Sequence, residues 1–233
     1  MELILKVLGA GLGILVPFIF MCTLRKGVEN APFEAQQKAG YKKTLVTVTL
    51  LWTALVWVLS LAGIFSYHVG DAIPRFVIPL VLPVLVGLFM LTNKTFQTIL
   101  DHTPLSTLVG AQTFRLAGMV LLVIAYLGIL PSAFASGGYG DIATGSLALI
   151  AWLMLSKQTS GSKLFFWLFN IVGLCDLLNV AYLLLAYYPL YNSSLPSSAA
   201  AADFSLVMLP AIAAPIALLL HFYSLRNYLL KKI

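Results

Sequence analysis

Charge is what this chain has least of. Only 9% of its 233 residues are Asp, Glu, Lys or Arg, against about a quarter in a soluble domain. Apolar residues fill 61% of the sequence, and the mean hydropathy is +0.97. Such a surface is built for lipid, so the lipid bilayer is its first expected partner. The formal charge of +6 is accounted for by where the basic residues fall, in the connections between apolar segments, so no nucleic acid partner is expected.

Cysteine and histidine are nearly as scarce. Cys22 and Cys175 belong to different apolar segments, which excludes a disulfide framework, a thiolate zinc site and a haem-attachment motif. Of the three histidines, His68, His102 and His221, only His221 falls inside an apolar span. The multi-histidine set of seven-helix zinc hydrolases is therefore missing, as is a fixed pair for a bis-histidine haem, and no metal is expected. No G-x-S-x-G elbow, H-E-x-x-H or P-loop occurs, so no catalytic residue is assigned. The last span has no lysine, so no covalent retinal is expected. The acidic-Arg-Tyr and Asn-Pro-x-x-Tyr signatures of seven-helix receptors are absent as well.

Long apolar runs are what the chain does have. A membrane helix needs about 20 apolar residues, and seven windows qualify: 3–22, 45–66, 74–92, 107–131, 141–156, 164–187 and 205–226. They predict an all-α polytopic membrane protein, a bundle of seven transmembrane helices in a single domain over residues 1–233. The first run lacks a small-residue cleavage site and reads as a retained span, not a signal peptide. Lys and Arg set the orientation. Eleven of the fourteen (Arg25, Lys26, Lys38, Lys42, Lys43, Lys94, Lys157, Lys163, Arg226, Lys231 and Lys232) fall on one side, with Lys6 and Arg75 on the other. The positive-inside rule then places the N-terminus outside and the C-terminus in the cytoplasm. Prolines 74, 79 and 83 in the third span, and 210 and 215 in the seventh, predict kinks.

The fourteenth basic residue is Arg115, alone inside the fourth run. A charge held at membrane depth marks a partner, a water cavity or a working site. At a rise of 1.5 Å per residue, Arg115, Asn170, Asp176 and His221 all fall in or near the inner half of the membrane. Asp176 reads as the one carboxylate near mid-membrane and so as the counter-charge of Arg115. Gln112 and Asn179 lie three residues from the two charges, on the same helix faces, where their amides could complete the pair. Three readings stay open: a structural clamp, a cytoplasm-connected site for a polar or anionic ligand or for protons, and an arginine that snorkels to the surface. Asp141 follows Ser136-Gly137-Gly138-Tyr139-Gly140, which reads as a flexible outer loop opening span five. The aspartate reads as the cap of span five, or as part of an outer-face site where glycines admit a ligand.

Several short segments resemble those of uncharacterised bacterial seven-helix membrane proteins. They are Gln112-Thr113-Phe114-Arg115, Leu130 through Ala135, Gly140-Asp141 with Gly145, Gly173-Leu174-Cys175-Asp176, and Pro215 through His221. The resemblance covers spans four to seven and implies a multi-pass protein of the bacterial inner membrane, with no activity attached. On function, the residues predict a small-molecule or proton binding or transport protein. Its site would be lined by Arg115, Gln112, Asp176, Asn179 and His221 and entered from the cytoplasm. A non-catalytic subunit packed against membrane-protein partners, or an intramembrane enzyme acting on lipid, are the alternatives.

Overall fold

A computed structural model describes residues 2–231; of the expected basic tail, Lys232 lies outside the described residues. The described residues are largely helical, with no strand among them. The long helices are α1 (Glu2–Asn30), α2 (Ala35–Leu61), α7 (Ala135–Ser156), α8 (Ser162–Ala186) and α9 (Ala214–Lys231). The shorter ones are α3 (Val77–Phe89), α4 (Lys94–Asp101), α5 (Leu105–Ala111) and α6 (Met119–Tyr126). Six helical stretches are long and apolar enough to cross a membrane. A seventh arises if α3 and α4, bent by 94° at Asn93, count as one span.

That bend has a local cause. Asn93 is extended, with φ −82° and ψ 120°, and its side chain accepts from the Phe96 backbone N–H at 3.0 Å. An Asx cap of this kind stops one helix and starts the next. Pro74 lies outside α3, Pro79 sits in its first turn, and Pro83 is the one proline in its interior. In the first turn proline costs nothing, because that N–H has no partner inside the helix. The far end of α4 is tied to α9 by Arg226 Nη1 donating to Asp101 at 2.6 Å and Asn227 Nδ2 donating to Leu100 O at 2.6 Å.

Two irregular stretches interrupt the spans. Between α5 and α6 the chain runs as a 3-10 helix from Gln112 to Gly118. Ahead of α9, Leu209–Ala213 forms a π-helical turn containing Pro210. Pro210 and Pro215 lack an N–H, so an unbroken α-helix here would leave carbonyls without donors. The wider turn lets the Ala214 N–H reach Leu209 O. Mid-helix 3-10 and π turns often mark functional positions. Just past the end of α6, Gly128 has a φ of +66°, a backbone conformation that favours a residue without Cβ.

The segment expected as the fifth span also differs from expectation. α7 begins at Ala135, so the 136–140 stretch is the helix's first turns and not a loop. Glycine weakens an isolated helix, but in membranes small residues let backbones approach closely. A Cβ on Gly137 would come within 2.5 Å of Val180 Cγ2, one on Gly138 within 2.7 Å of Leu122, and one on Gly145 within 2.6 Å of the Leu116 backbone nitrogen. α7 is thus seated between α6 and α8, and that close packing positions the site.

Candidate functional site: a guanidinium between two carboxylates

The side chain of Arg115 leaves the middle of the 3-10 stretch and is only 2% exposed. It neither snorkels nor faces lipid. Nε donates to Asp141 Oδ1 at 2.6 Å, from α7. Nη2 donates to Asp176 Oδ2, from α8. Nη1 donates to the Gly173 carbonyl at 3.2 Å and lies 3.3 Å from His221 Nε2, on α9. One planar group therefore holds three helices, as a fork of five fixed donors can.

The glycines make this possible. A Cβ on Gly140 would collide with the Asp176 carboxylate, and one on Gly118 with Asp141 Cβ. A Cβ on Gly173 would come within 2.5 Å of His221 Cε1 and Nε2. Asp141, Asp176 and His221 each sit where a neighbouring segment lacks a side chain.

His221 is fully buried and stacks on Phe169, with ring centroids 4.6 Å apart. Its Nδ1 is 3.0 Å from Asn170 Oδ1, while Asn170 Nδ2 donates to Phe166 O at 2.9 Å. Because the amide nitrogen is engaged elsewhere, Oδ1 accepts and Nδ1 carries the proton. Nε2 is then the acceptor that faces Arg115. The ring is neutral in this arrangement: an imidazolium would direct an N–H at a guanidinium. Ser224 Oγ lies 3.4 Å from the same Asn170 oxygen.

Several expectations need correction. Asp176 does meet Arg115, but it is not the only carboxylate at that depth. Asp141, expected as a helix cap or outer-face residue, lies within α7 and forms the second ion pair. The glycines that looked like a flexible loop concealed it. Asn179 takes no part, since its amide donates to Ser136 Oγ at 3.0 Å. Gln112 also misses Arg115. In a 3-10 turn residues three apart eclipse, and Gln112, one turn away, donates to Ala217 O at 2.8 Å while its buried Oε1 has no partner. Asn170 and Gly173 complete the set. A charged residue on an apolar helix flanked by glycines was the signal for Asp141.

A cavity of about 80 Å³ opens beside the cluster, with Arg115, Asp141 and Asp176 as its polar floor. Its other lining residues are all apolar, among them Leu12, Phe114, Phe134, Leu184 and Ala201. A water needs on the order of 10–15 Å³ of such space, so several would fit. Leu130, Phe134 and Ala201 belong to the connections after α6 and α8. The cavity therefore reaches toward the end of the bundle opposite the basic loops, away from the expected cytoplasmic entrance. Asp141 is its more accessible acid: its side chain is 21% exposed, against 4% for Asp176.

Among the described residues no cluster of three or more His, Cys, Asp or Glu could hold a metal ion. The family model described as "Domain of unknown function (DUF8737)" matches residues 72–229, more than half of the chain and every member of the cluster. No curated protein and no solved structure matches the chain.

Proposed function

The chain belongs to the DUF8737 family, and we propose that it binds and transfers protons within the membrane at the Arg115 cluster. The observation that carries this is a charge count. One guanidinium at +1 and two ionised carboxylates at −2 leave the cluster at −1, with His221 neutral. An uncompensated charge in a low-dielectric interior is costly, and a proton on one carboxyl removes it. A clamp alone needs a single acid; the second one is what a proton site adds. Pumps and transporters place such acids in their proton relays. The anionic-ligand form of this reading has less support, because four of the five guanidinium N–H groups are already engaged.

In this proposal the bent α3–α4 pair is the third of seven spans. The N-terminus lies outside and the basic loops lie in the cytoplasm of a bacterial inner membrane. The cavity then faces outward, and the 3-10 and π turns on its wall are the parts that move.

Infrared difference spectroscopy of the purified protein tests the proton site. A protonated-carboxyl band should titrate in the wild type and disappear in Asp141→Asn or Asp176→Asn. If both carboxyls stay ionised throughout, the reading fails. Proton flux in vesicles, compared between the wild type and the same variants, tests transfer.

A second reading, a subunit of a larger membrane complex, is favoured by α2. Its buried residues are only Val56 and Ser60, and Leu51, Leu55, Val58 and Leu61 are exposed. Stoichiometric companions on purification from native membranes would support it.

A further inference from the structure

We propose that the cavity beside Asp141 takes a small lipophilic cation, and that this cation and the proton exclude one another. The inference rests on the proton reading of the same cluster and adds the ligand class. Apart from Arg115, Asp141 and Asp176, every lining residue is apolar, so the walls favour a hydrocarbon or aryl body. The floor is the only polar end, and it lacks one positive charge. An anionic head would meet a surplus carboxylate and a guanidinium already engaged. A neutral head would leave the surplus in place. A cation removes it. Phe114 and Phe134 add aromatic surface, which attracts cations.

One missing charge means one occupant. When a permanent cation enters, the carboxyl O–H bond breaks, the proton leaves to bulk water, and the carboxylate pairs with the cation. The titratable groups around the acid are Arg115, Asp176 and His221. From α1 the lining residue is Leu12, and the 206–217 stretch contributes no titratable side chain to the cavity.

The test uses the full chain in nanodiscs and calorimetric titration with benzyltrimethylammonium, which carries no exchangeable proton. The titration is repeated in two buffers of different ionisation enthalpy, so that the enthalpy difference counts protons released. Neopentylbenzene is the uncharged isostere and phenylmethanesulfonate the anionic one. The cation should bind with proton release, more weakly as pH falls, and roughly tenfold or more weakly in Asp141→Asn, as expected when a charge partner is lost. Binding of the uncharged isostere with equal affinity, preferential binding of the sulfonate, or cation binding without proton release would each overturn the proposal. Should Asp141→Asn not fold, the buffer comparison on the wild type still decides. A titrating carboxyl band without cation binding would leave the proton site standing and remove only this inference.

Discussion

Arg115 and Asp141 are 26 positions apart in the chain and meet at 2.6 Å, Nε to Oδ1, where α7 packs against the 3-10 stretch. Asp176 approaches the same guanidinium from α8. Three charges on three elements therefore share one buried site.

This sharing predicts unusual additivity. Asp141→Asn or Asp176→Asn alone leaves one cation against one anion, so each should be close to neutral or stabilising in thermal unfolding. The double Asn variant leaves Arg115 unpaired and should cost about 3–5 kcal/mol, as should Arg115→Ala, which strands two carboxylates. Residues in one network depart from additivity in this way. Two equal single losses that sum to the double would show that the acids act independently.

Much of the fold was legible because hydrocarbon thickness imposes run length. Spans one, two, six and seven follow their apolar windows. Their ends shift where the helix continues into polar sequence, as α1 does to Asn30. The fifth span was not legible. Gly137, Gly138 and Gly140 have two opposite uses, freedom in a loop and closeness in a helix, and sequence spacing does not separate them. Misreading them hid Asp141, and with it the second acid. Arg115 was found because a lone charge in an apolar run needs a partner. Asn179 was misplaced because sharing a face with Asp176 does not bring it level with Arg115.

The glycine reading has its own test. Gly140→Ala drives a methyl group into the Asp176 carboxylate, and Gly118→Ala drives one against Asp141. Each should destabilise by about 1–3 kcal/mol, the usual cost of overpacking. Gly11→Ala and Gly40→Ala meet nothing within 4 Å and should be neutral or slightly stabilising in their helices. Equal effects at all four positions would remove the close-approach argument.

The tautomer of His221 can be read by nitrogen NMR. The Asn170 contact predicts a protonated Nδ1 and a bare Nε2 facing Arg115. Asn170→Leu removes the acceptor and should allow the other tautomer. An imidazolium, or a protonated Nε2 in the wild type, would mean that the Asn170 amide is flipped.

At the opposite end of the bundle from the basic loops, the connection between α2 and α3 holds a separate pair. Arg75 donates to Asp71 Oδ1 from Nη2 at 2.7 Å and from Nε at 3.0 Å, and the His68 backbone N–H donates to Oδ2 at 3.1 Å. The Arg75 hydrogen bond chiefly, with the His68 N–H, holds the Asp71 carboxyl below the usual aspartate value, against a smaller upward push from desolvation. A carboxyl depressed by folding stabilises above its unfolded pKa, and that contribution is lost as pH falls through the folded value. Asp71→Asn should therefore lower Tm slightly at neutral pH, and the gap should close under acid conditions below the ordinary carboxylate range. A gap that stays constant from neutral to acid pH would show that the Asp71 charge contributes nothing to holding this loop.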